Sequence, residues 1–174
     1  TMAFLFESFH EWKTYSIDKK MSLVQVVVEY ECAQRNRTEK EIWDGLAKAW
    51  DVMKDAVQTG LTEDMISRSG MINNGAKKVY NYPKPVLSKE FQNLVSRALA
   101  AKEVNSCMGR IVAAPTAGAS GIMPGVLFTL QEIHHIDDKK ILEAMLLAAG
   151  IALIMEQRAS ISGAVGGCQA ETGT

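Results

Sequence analysis

The chain has 174 residues, enough for one domain with a hydrophobic core. Its 19 basic and 20 acidic residues give a net charge of −1, which excludes the strongly basic surfaces that bind nucleic acid or anionic membranes. The longest apolar run, residues 146–155, is too short to cross a bilayer, and the chain does not open with the basic segment of a signal peptide. We therefore expect a cytoplasmic protein.

Two helices are predicted in the first part of the chain. The first covers residues 3–13, where apolar residues recur at helical spacing: Phe4, Leu5, Phe9 and Trp12. The second begins after Ser22, which forms a capping-box pattern with Gln25. The valine-rich residues 24–28 would suit a strand equally well. We predict a helix because residues 29–35 continue without a turn signal.

A longer helix and an irregular segment follow. Thr38 and Glu41 form a second capping box, and Gly60 is expected to end the helix. Its predicted apolar face consists of Ile42, Trp43, Leu46, Ala49, Trp50, Met53 and Val57. Residues 61–88 lose this periodicity and contain Gly, Asn and Pro turn patterns, which favour a surface loop.

Three more helices complete an all-α prediction. One begins at Ser88, with five residues expected to face inward: Phe91, Leu94, Val95, Ala98 and Leu99. Residues 122–130 are apolar and predict a buried helix. Asp137 caps the last helix, residues 139–157. Apolar residues occupy most sides of this helix. We expect that helix to run through the middle of one compact domain, and the histidines at 134 and 135 to be solvated.

Two stretches rich in small residues stand out, residues 103–125 and residues 160–174. In the first, residues 115–118 read as a turn that opens into the predicted helix at 122–130. The free N–H groups of that helix would then point into the turn and could bind a carboxylate or phosphate. A tight turn between two core helices explains the same residues equally well.

The three cysteines, Cys32, Cys107 and Cys168, are widely spaced and form no CxxC pair. An odd number without paired spacing argues against a disulfide framework. Three thiolates could hold an iron–sulfur cluster. However, Cys32 lies in a helical pattern, where burial as a small apolar residue is the better interpretation.

Three motifs in the small-residue stretches are long enough to be specific. They are Glu103-Val-Asn105, Ala114-Pro-Thr-Ala-Gly-Ala-Ser-Gly-Ile-Met-Pro124 and Ser160-Ile-Ser-Gly-Ala-Val-Gly-Gly-Cys-Gln-Ala-Glu171. Together they resemble the iron–sulfur L-serine dehydratases, and more narrowly the alpha chain of the two-subunit bacterial form. The resemblance implies that Cys168 is the first cysteine ligand of a [4Fe–4S] cluster. It also implies that residues 1–174 are the N-terminal part of the catalytic domain, whose remainder, with the other ligands, would follow Thr174.

The resemblance implies an L-serine ammonia-lyase that forms pyruvate and ammonia, in amino-acid degradation that supplies gluconeogenesis. This family works without pyridoxal phosphate. The implied partners are L-serine and a companion beta chain, with neither nucleic acid nor membrane, and a homo-oligomer is compatible with them. The 174-residue chain alone is expected to bind no cluster and to be inactive, because one thiolate cannot hold four irons.

The resemblance and the small-residue turn suggest a seat for the substrate. We expect it to be formed by Thr116, Ala117, Gly118, Ala119, Ser120 and Gly121, with Asn105 as a hydrogen-bonding neighbour. No residue stands out as the catalytic base. The weak candidates are Glu103, Lys77 and Glu171, each equally well explained as a solvated or ion-paired charge. Cys107 stands where the family commonly has alanine, so it is expected to be a buried structural residue.

Two other functions compete with this hypothesis. The chain could be a non-catalytic helical interaction module, which iron binding would distinguish from a dehydratase. It could also be an enzyme that binds phosphate with residues 115–121, although no GxxxxGK[ST] motif and no preceding strand support this. If the chain forms a dehydratase site, residues 115–121 and the segment around Cys168 must face each other across one cleft.

Overall fold

The computed structural model describes residues 6–174. Within this range the regular secondary structure is helical, apart from one isolated β-bridge between Ile66 and Asn73. The helices are α1 (Phe9–Lys19), α2 (Leu23–Arg35), α3 (Glu39–Thr62), α4 (Gly75–Tyr80), α5 (Lys89–Ser106), α6 (Ile122–His134), α7 (Asp138–Arg158), α8 (Gly163–Gly166) and α9 (Cys168–Gly173). The all-α prediction is confirmed. No helix among these residues is long and apolar enough to cross a membrane.

Helices α2 and α3 begin where the sequence predicted, because side chains next to their first residues cap them. The Ser22 hydroxyl accepts a hydrogen bond from the Gln25 amide at 3.1 Å, and the Gln25 side chain accepts one from the Ser22 amide at 2.8 Å. Thr38 and Glu41 form the same reciprocal pair. The backbone N–H of Thr38 holds the pKa of the Glu41 carboxyl below its usual value. The valine-rich segment is therefore helical.

The first helix lies later in the chain than predicted. Phe4 and Leu5 lie outside the described residues. Ser8 caps α1, which continues to Lys19. Of the apolar residues that predicted this helix, Trp12 is buried, whereas Phe9 is 53% exposed. Residues 6–8 are not helical because the Ser8 side chain caps the helix at that point.

One part of the core joins α1, α2 and α7. Phe6 stacks on Trp12 with ring centroids 5.1 Å apart, and both rings are buried with Val27 and Ile154. A Cβ at Gly150 would lie 2.7 Å from a Val27 methyl. Helix α7 therefore needs glycine at its contact with α2.

Helix α5, rather than α7, occupies the centre of the fold. It packs against α3, α4 and α6, and small residues let these helices approach closely. A Cβ at Gly60 in α3 would lie 2.7 Å from the Ala100 carbonyl carbon, and one at Gly125 in α6 would lie 3.0 Å from the Ala98 nitrogen. Helix α7 packs against α2 and α3, and its Ala149 is exposed. Helix α7 nevertheless supplies buried residues to two parts of the core, among them Met145 and Leu146. The predicted path of α7 through the core is therefore confirmed in part, although α5 has more helices packed around it.

The orientation predicted for α5 is also wrong. Phe91 is 48% exposed and Leu99 is 37% exposed. The buried side of the helix consists instead of Gln92, Ser96, Arg97, Ala100, Ala101, Glu103 and Val104. Distant segments bind some of these polar groups: Gln92 donates to the Tyr82 carbonyl at 2.8 Å, and Arg97 donates to the Thr129 hydroxyl at 3.0 Å.

The segment predicted as a loop, residues 61–88, contains helix at its start and again in its second half. Helix α3 runs through Gly60 to Thr62, and α4 (Gly75–Tyr80) interrupts the remainder. The short α4 was missed because no side chain of its own caps its start. His134 and His135 are exposed as predicted.

Candidate functional site

The small-residue turn at residues 115–121 is held against the C-terminal part of α5. Asn105 donates a hydrogen bond to the Ala117 carbonyl at 3.0 Å, and Lys102 donates one to the Gly118 carbonyl at 3.0 Å. Within the turn, the Ser120 hydroxyl donates to the same Ala117 carbonyl at 2.9 Å. Three side chains therefore fix two neighbouring carbonyls.

Only part of the turn faces solvent. Ala117 and Gly118 are exposed, whereas Ala119 and Ser120 are 2% and 1% exposed. The Ile122 amide donates to the Ala119 carbonyl at 3.0 Å, so the first amide of α6 is already used. The Ser120 amide also donates, to the Ala117 carbonyl at 3.4 Å. Fewer N–H groups are therefore free to bind an anion in the turn than the sequence suggests. The buried Thr116 hydroxyl has no hydrogen-bond partner among the described residues.

The second small-residue stretch forms two short helices after α7. Ser162 caps α8 by accepting a hydrogen bond from the Ala164 amide at 3.3 Å. Gly167, at φ +78°, separates α8 from α9, a conformation that favours glycine. Cys168 begins α9 as an exposed free thiol, and its carbonyl accepts a hydrogen bond from the Thr172 hydroxyl at 3.0 Å.

The fold brings the two stretches together through α9. The Glu171 carboxylate lies so close to Gly118 and Gly163 that a Cβ at either position would collide with it. One groove of ≈ 300 Å³ is lined by Thr172 on one side and by the turn and α5 on the other. The segment that follows Cys168 therefore meets the turn through Glu171 and Thr172. That Cys168 itself faces the turn across one cleft stays a prediction.

The three candidate bases have different surroundings. Glu103 is 5% exposed, and its Oε1 accepts hydrogen bonds from the Gly75 and Ala76 amides at 2.8 and 3.2 Å. It therefore faces α4 and fastens α4 to α5. Lys77 forms an ion pair with Asp64 at 2.9 Å. Of the three candidates, Glu171 is the one that contacts the turn at residues 115–121, because its carboxylate lies against Gly118.

The three cysteines lie in different environments. Cys32 packs beside the α1–α2–α7 core, where burial, helped by the nearby Glu39 and Glu31, raises the pKa of its thiol. Cys107 packs beside Val57 and Val104. Among residues 6–174, no three His, Cys, Asp or Glu side chains are grouped so that they could hold a metal ion. Of the three cysteines, Cys168 is the one whose thiol is exposed.

The thiol environments predict an order of chemical reactivity. We expect iodoacetamide to alkylate Cys168 about 10-fold faster than Cys32 at pH 8. Burial limits access of the reagent to the Cys32 thiol, and the raised pKa of that thiol lowers its thiolate fraction. Mass spectrometry of peptides taken at successive times measures both rates in one sample. Equal rates would show that Cys32 is not packed as described.

Sequence reasoning missed Lys102, which stands one helical turn before Asn105 on α5. The i, i+3 spacing of two long donors beside a small-residue turn was an available signal. It was overlooked because each residue was weighed separately.

Comparison with known proteins gives a consistent assignment. A family model described as serine dehydratase alpha chain matches residues 18–174. The L-serine dehydratase alpha chain of Peptoniphilus asaccharolyticus is 35% identical over 160 residues, which cover 90% of this chain and 55% of the relative. A probable L-serine dehydratase alpha chain of Bacillus subtilis is 32% identical over 173 residues, covering 98% of this chain and 57% of the relative.

A longer relative, the L-serine dehydratase of Streptomyces coelicolor, is 35% identical over 161 residues, covering 88% of this chain and 34% of the relative. The chain thus spans about half the length of the alpha-chain relatives described above, and about a third of this one. The resemblance noted in the three sequence motifs is confirmed. This chain belongs to the serine dehydratase alpha chain family.

Proposed function

We propose that this chain is the N-terminal part of the catalytic domain of an L-serine dehydratase, which converts L-serine to pyruvate and ammonia. The observation that carries the proposal is the contact between the Glu171 carboxylate and Gly118. That contact joins the segment of Cys168 to the turn proposed to receive the substrate. Family membership supports the same assignment.

The proposed reaction breaks the Cα–H and Cβ–O bonds of L-serine and releases water, leaving aminoacrylate. Its imine tautomer is then hydrolysed to pyruvate and ammonia. The exposed backbone of Ala117 and Gly118 would seat the substrate carboxylate, while Lys102 and Asn105 fix the turn by binding its carbonyls. Glu171 would accept the α-proton, a role supported by the contact of its carboxylate with Gly118. Ser120 is buried and would shape the turn rather than touch substrate.

A [4Fe–4S] cluster would supply a Lewis acid for departure of the substrate hydroxyl. Cys168 would be one of its ligands, because it is an exposed thiol on the helix that carries Glu171. The other ligands would come from outside residues 6–174. The proposed enzyme uses no pyridoxal phosphate.

The proposal includes a cellular setting. Two of the relatives are named alpha chains, which supports a companion beta chain. We place the enzyme in the cytoplasm, in amino-acid degradation that yields pyruvate. The phosphate-loop alternative has less support, because the first amide of α6 bonds to Ala119 and Ser120 is buried.

The test replaces one glycine at the contact and one outside it. Gly118→Ala places a methyl group where the Glu171 carboxylate lies, whereas a Cβ at Gly173 in α9 would meet no atom within 4 Å. In the intact enzyme, assembled anaerobically with its cluster and companion chain, we expect Gly118→Ala to lower kcat/KM for L-serine by about 10-fold or more. Gly173→Ala should match the unsubstituted enzyme.

Pyruvate formation from L-serine measures the rate, and thermal unfolding shows whether both variants stay folded. A small change in stability is expected for Gly118→Ala, because the end of a flexible side chain can move away. No pyruvate from the unsubstituted enzyme would contradict the proposed function. Equal kcat/KM for both variants would leave the function standing and contradict the placement of the site at Gly118.

A further inference from the structure

The outward side of α5 is apolar although it is exposed. Phe91 and Leu99 are 48% and 37% exposed, and Leu94 and Val95 lie half-buried between them. The residues before the helix continue this surface, since Val86 is 95% exposed. Apolar residues at this helical spacing are typical of a helix that packs on another element.

Two grooves widen this surface into one continuous face. One, of ≈ 450 Å³, lies between α4, residues 82–88 and the start of α5. The other, of ≈ 300 Å³, lies between α5, the substrate turn and α9. Val95 lines both. We name this surface the α5 face, defined by Val86, Leu87, Phe91, Leu94, Val95, Ala98, Leu99 and Ile122.

The charged side chains that line the two grooves beside the α5 face are both lysines. Lys78 lines the first groove and Lys102 lines the second. No acidic side chain is among the described residues that line either groove. An occupant would therefore need an apolar stripe flanked by acidic residues, which describes an amphipathic helix.

We propose that the α5 face binds such a helix from the part of the alpha chain that relatives carry outside the region matched here. Nearly half of each alpha-chain relative has no counterpart in this sequence, since the match covers 55% and 57% of them. That remainder needs a surface to pack against, and the α5 face is an exposed apolar surface of the matched part. The proposal rests on family membership and is independent of the reaction.

The position of the second groove also supports a helix from the remainder of the alpha chain. The second groove is lined by Gly118 and Thr172, so a helix seated there would form a further wall beside the contact of the turn with α9. Covering this groove would exclude water from the region where the substrate turn meets α9. The remainder of the alpha chain would thereby complete the site.

The test compares hydroxyl-radical footprinting of two proteins, this 174-residue chain and the intact Bacillus subtilis relative. Each labelling rate is divided by the intrinsic reactivity of its side chain. We expect the positions of Val86, Phe91 and Leu99 to be labelled freely in this chain, and the aligned positions to be protected at least 10-fold in the relative. The matched controls are Met71 and Ile17, which are 87% and 64% exposed away from the α5 face, and should be labelled alike in both proteins.

A substitution provides the second readout. Phe91→Glu should leave the unfolding temperature of this chain nearly unchanged, because the side chain is about half exposed, whereas glutamate at the aligned position should lower that of the intact relative. Equal labelling in both proteins would overturn the proposal. Protection in this chain that grows with its concentration would assign the face to a second copy instead. Protection of the relative only after a companion chain is added would assign it to that chain.

Discussion

Replacing Gly60 with alanine is expected to destabilise the fold by about 3 kcal/mol. The added methyl group would lie 2.7 Å from both the Cα and the carbonyl carbon of Ala100. These are backbone atoms of the central helix, so they cannot move aside without shifting α5 relative to α3. Alanine has a higher helix propensity than glycine by about 1 kcal/mol, which offsets only part of this cost.

The same helix supplies the control. Gly45 is exposed in α3, and a Cβ there would meet no atom within 4 Å. Gly45→Ala should therefore raise the free energy of unfolding by up to about 1 kcal/mol. Urea unfolding followed by circular dichroism measures both variants. If Gly60→Ala were as stable as Gly45→Ala, the close packing of α3 on α5 would be wrong.

The sequence predicted the starts of α2, α3, α5 and α7 because a side-chain cap depends on neighbours in the chain. Ser88 accepts a hydrogen bond from the Phe91 amide at 3.2 Å, and Asp137 accepts one from Lys140 at 2.9 Å. Each cap needs only residues within three positions of one another. Such local patterns fix where a helix begins and leave open which side it buries.

The orientation of α5 could not be predicted because its buried residues are satisfied by distant segments. Arg97 lies 3% exposed, with its guanidinium 4.6 Å from the centre of the Phe128 ring and paired with Glu132 at 2.6 Å. Glu103 is bound by amides about 28 residues earlier in the chain. The periodic spacing of apolar residues predicted that the apolar side faces inward. That spacing carries no information about the distant residues that bind Arg97 and Glu103.

The candidate site was predictable in outline and not in detail. Motif resemblance pointed to both the turn and the segment of Cys168, and their contact follows in the structure through Glu171 and Gly118. The sequence could not rank Glu103, Lys77 and Glu171. Ranking them needed the tertiary contacts that bind Glu103 to α4 and Lys77 to Asp64.

Cys168→Ser is expected to remove cluster iron and activity together in the intact enzyme. A serine oxygen is a harder and poorer ligand for an iron–sulfur cluster than a thiolate. Cys168 is exposed at the start of α9, so exchanging sulfur for oxygen should leave the fold intact. The loss should reach at least about 100-fold in kcat, the upper range for a disturbed metal environment.

Two other cysteines serve as matched controls. Cys32 and Cys107 are half-buried beside the core. Their alanine variants should keep iron and activity and lose about 1 kcal/mol of stability for the emptied volume. Thermal unfolding of the three variants separates a lost ligand from a weakened fold.

The most direct test of the proposed site measures iron content and pyruvate formation from L-serine on the same anaerobic sample of the intact enzyme. We predict that Cys168→Ser contains little cluster iron and forms almost no pyruvate, while Cys107→Ala retains both. A Cys168→Ser enzyme that keeps its iron and its rate would contradict the account, as would loss of iron in the Cys107 variant.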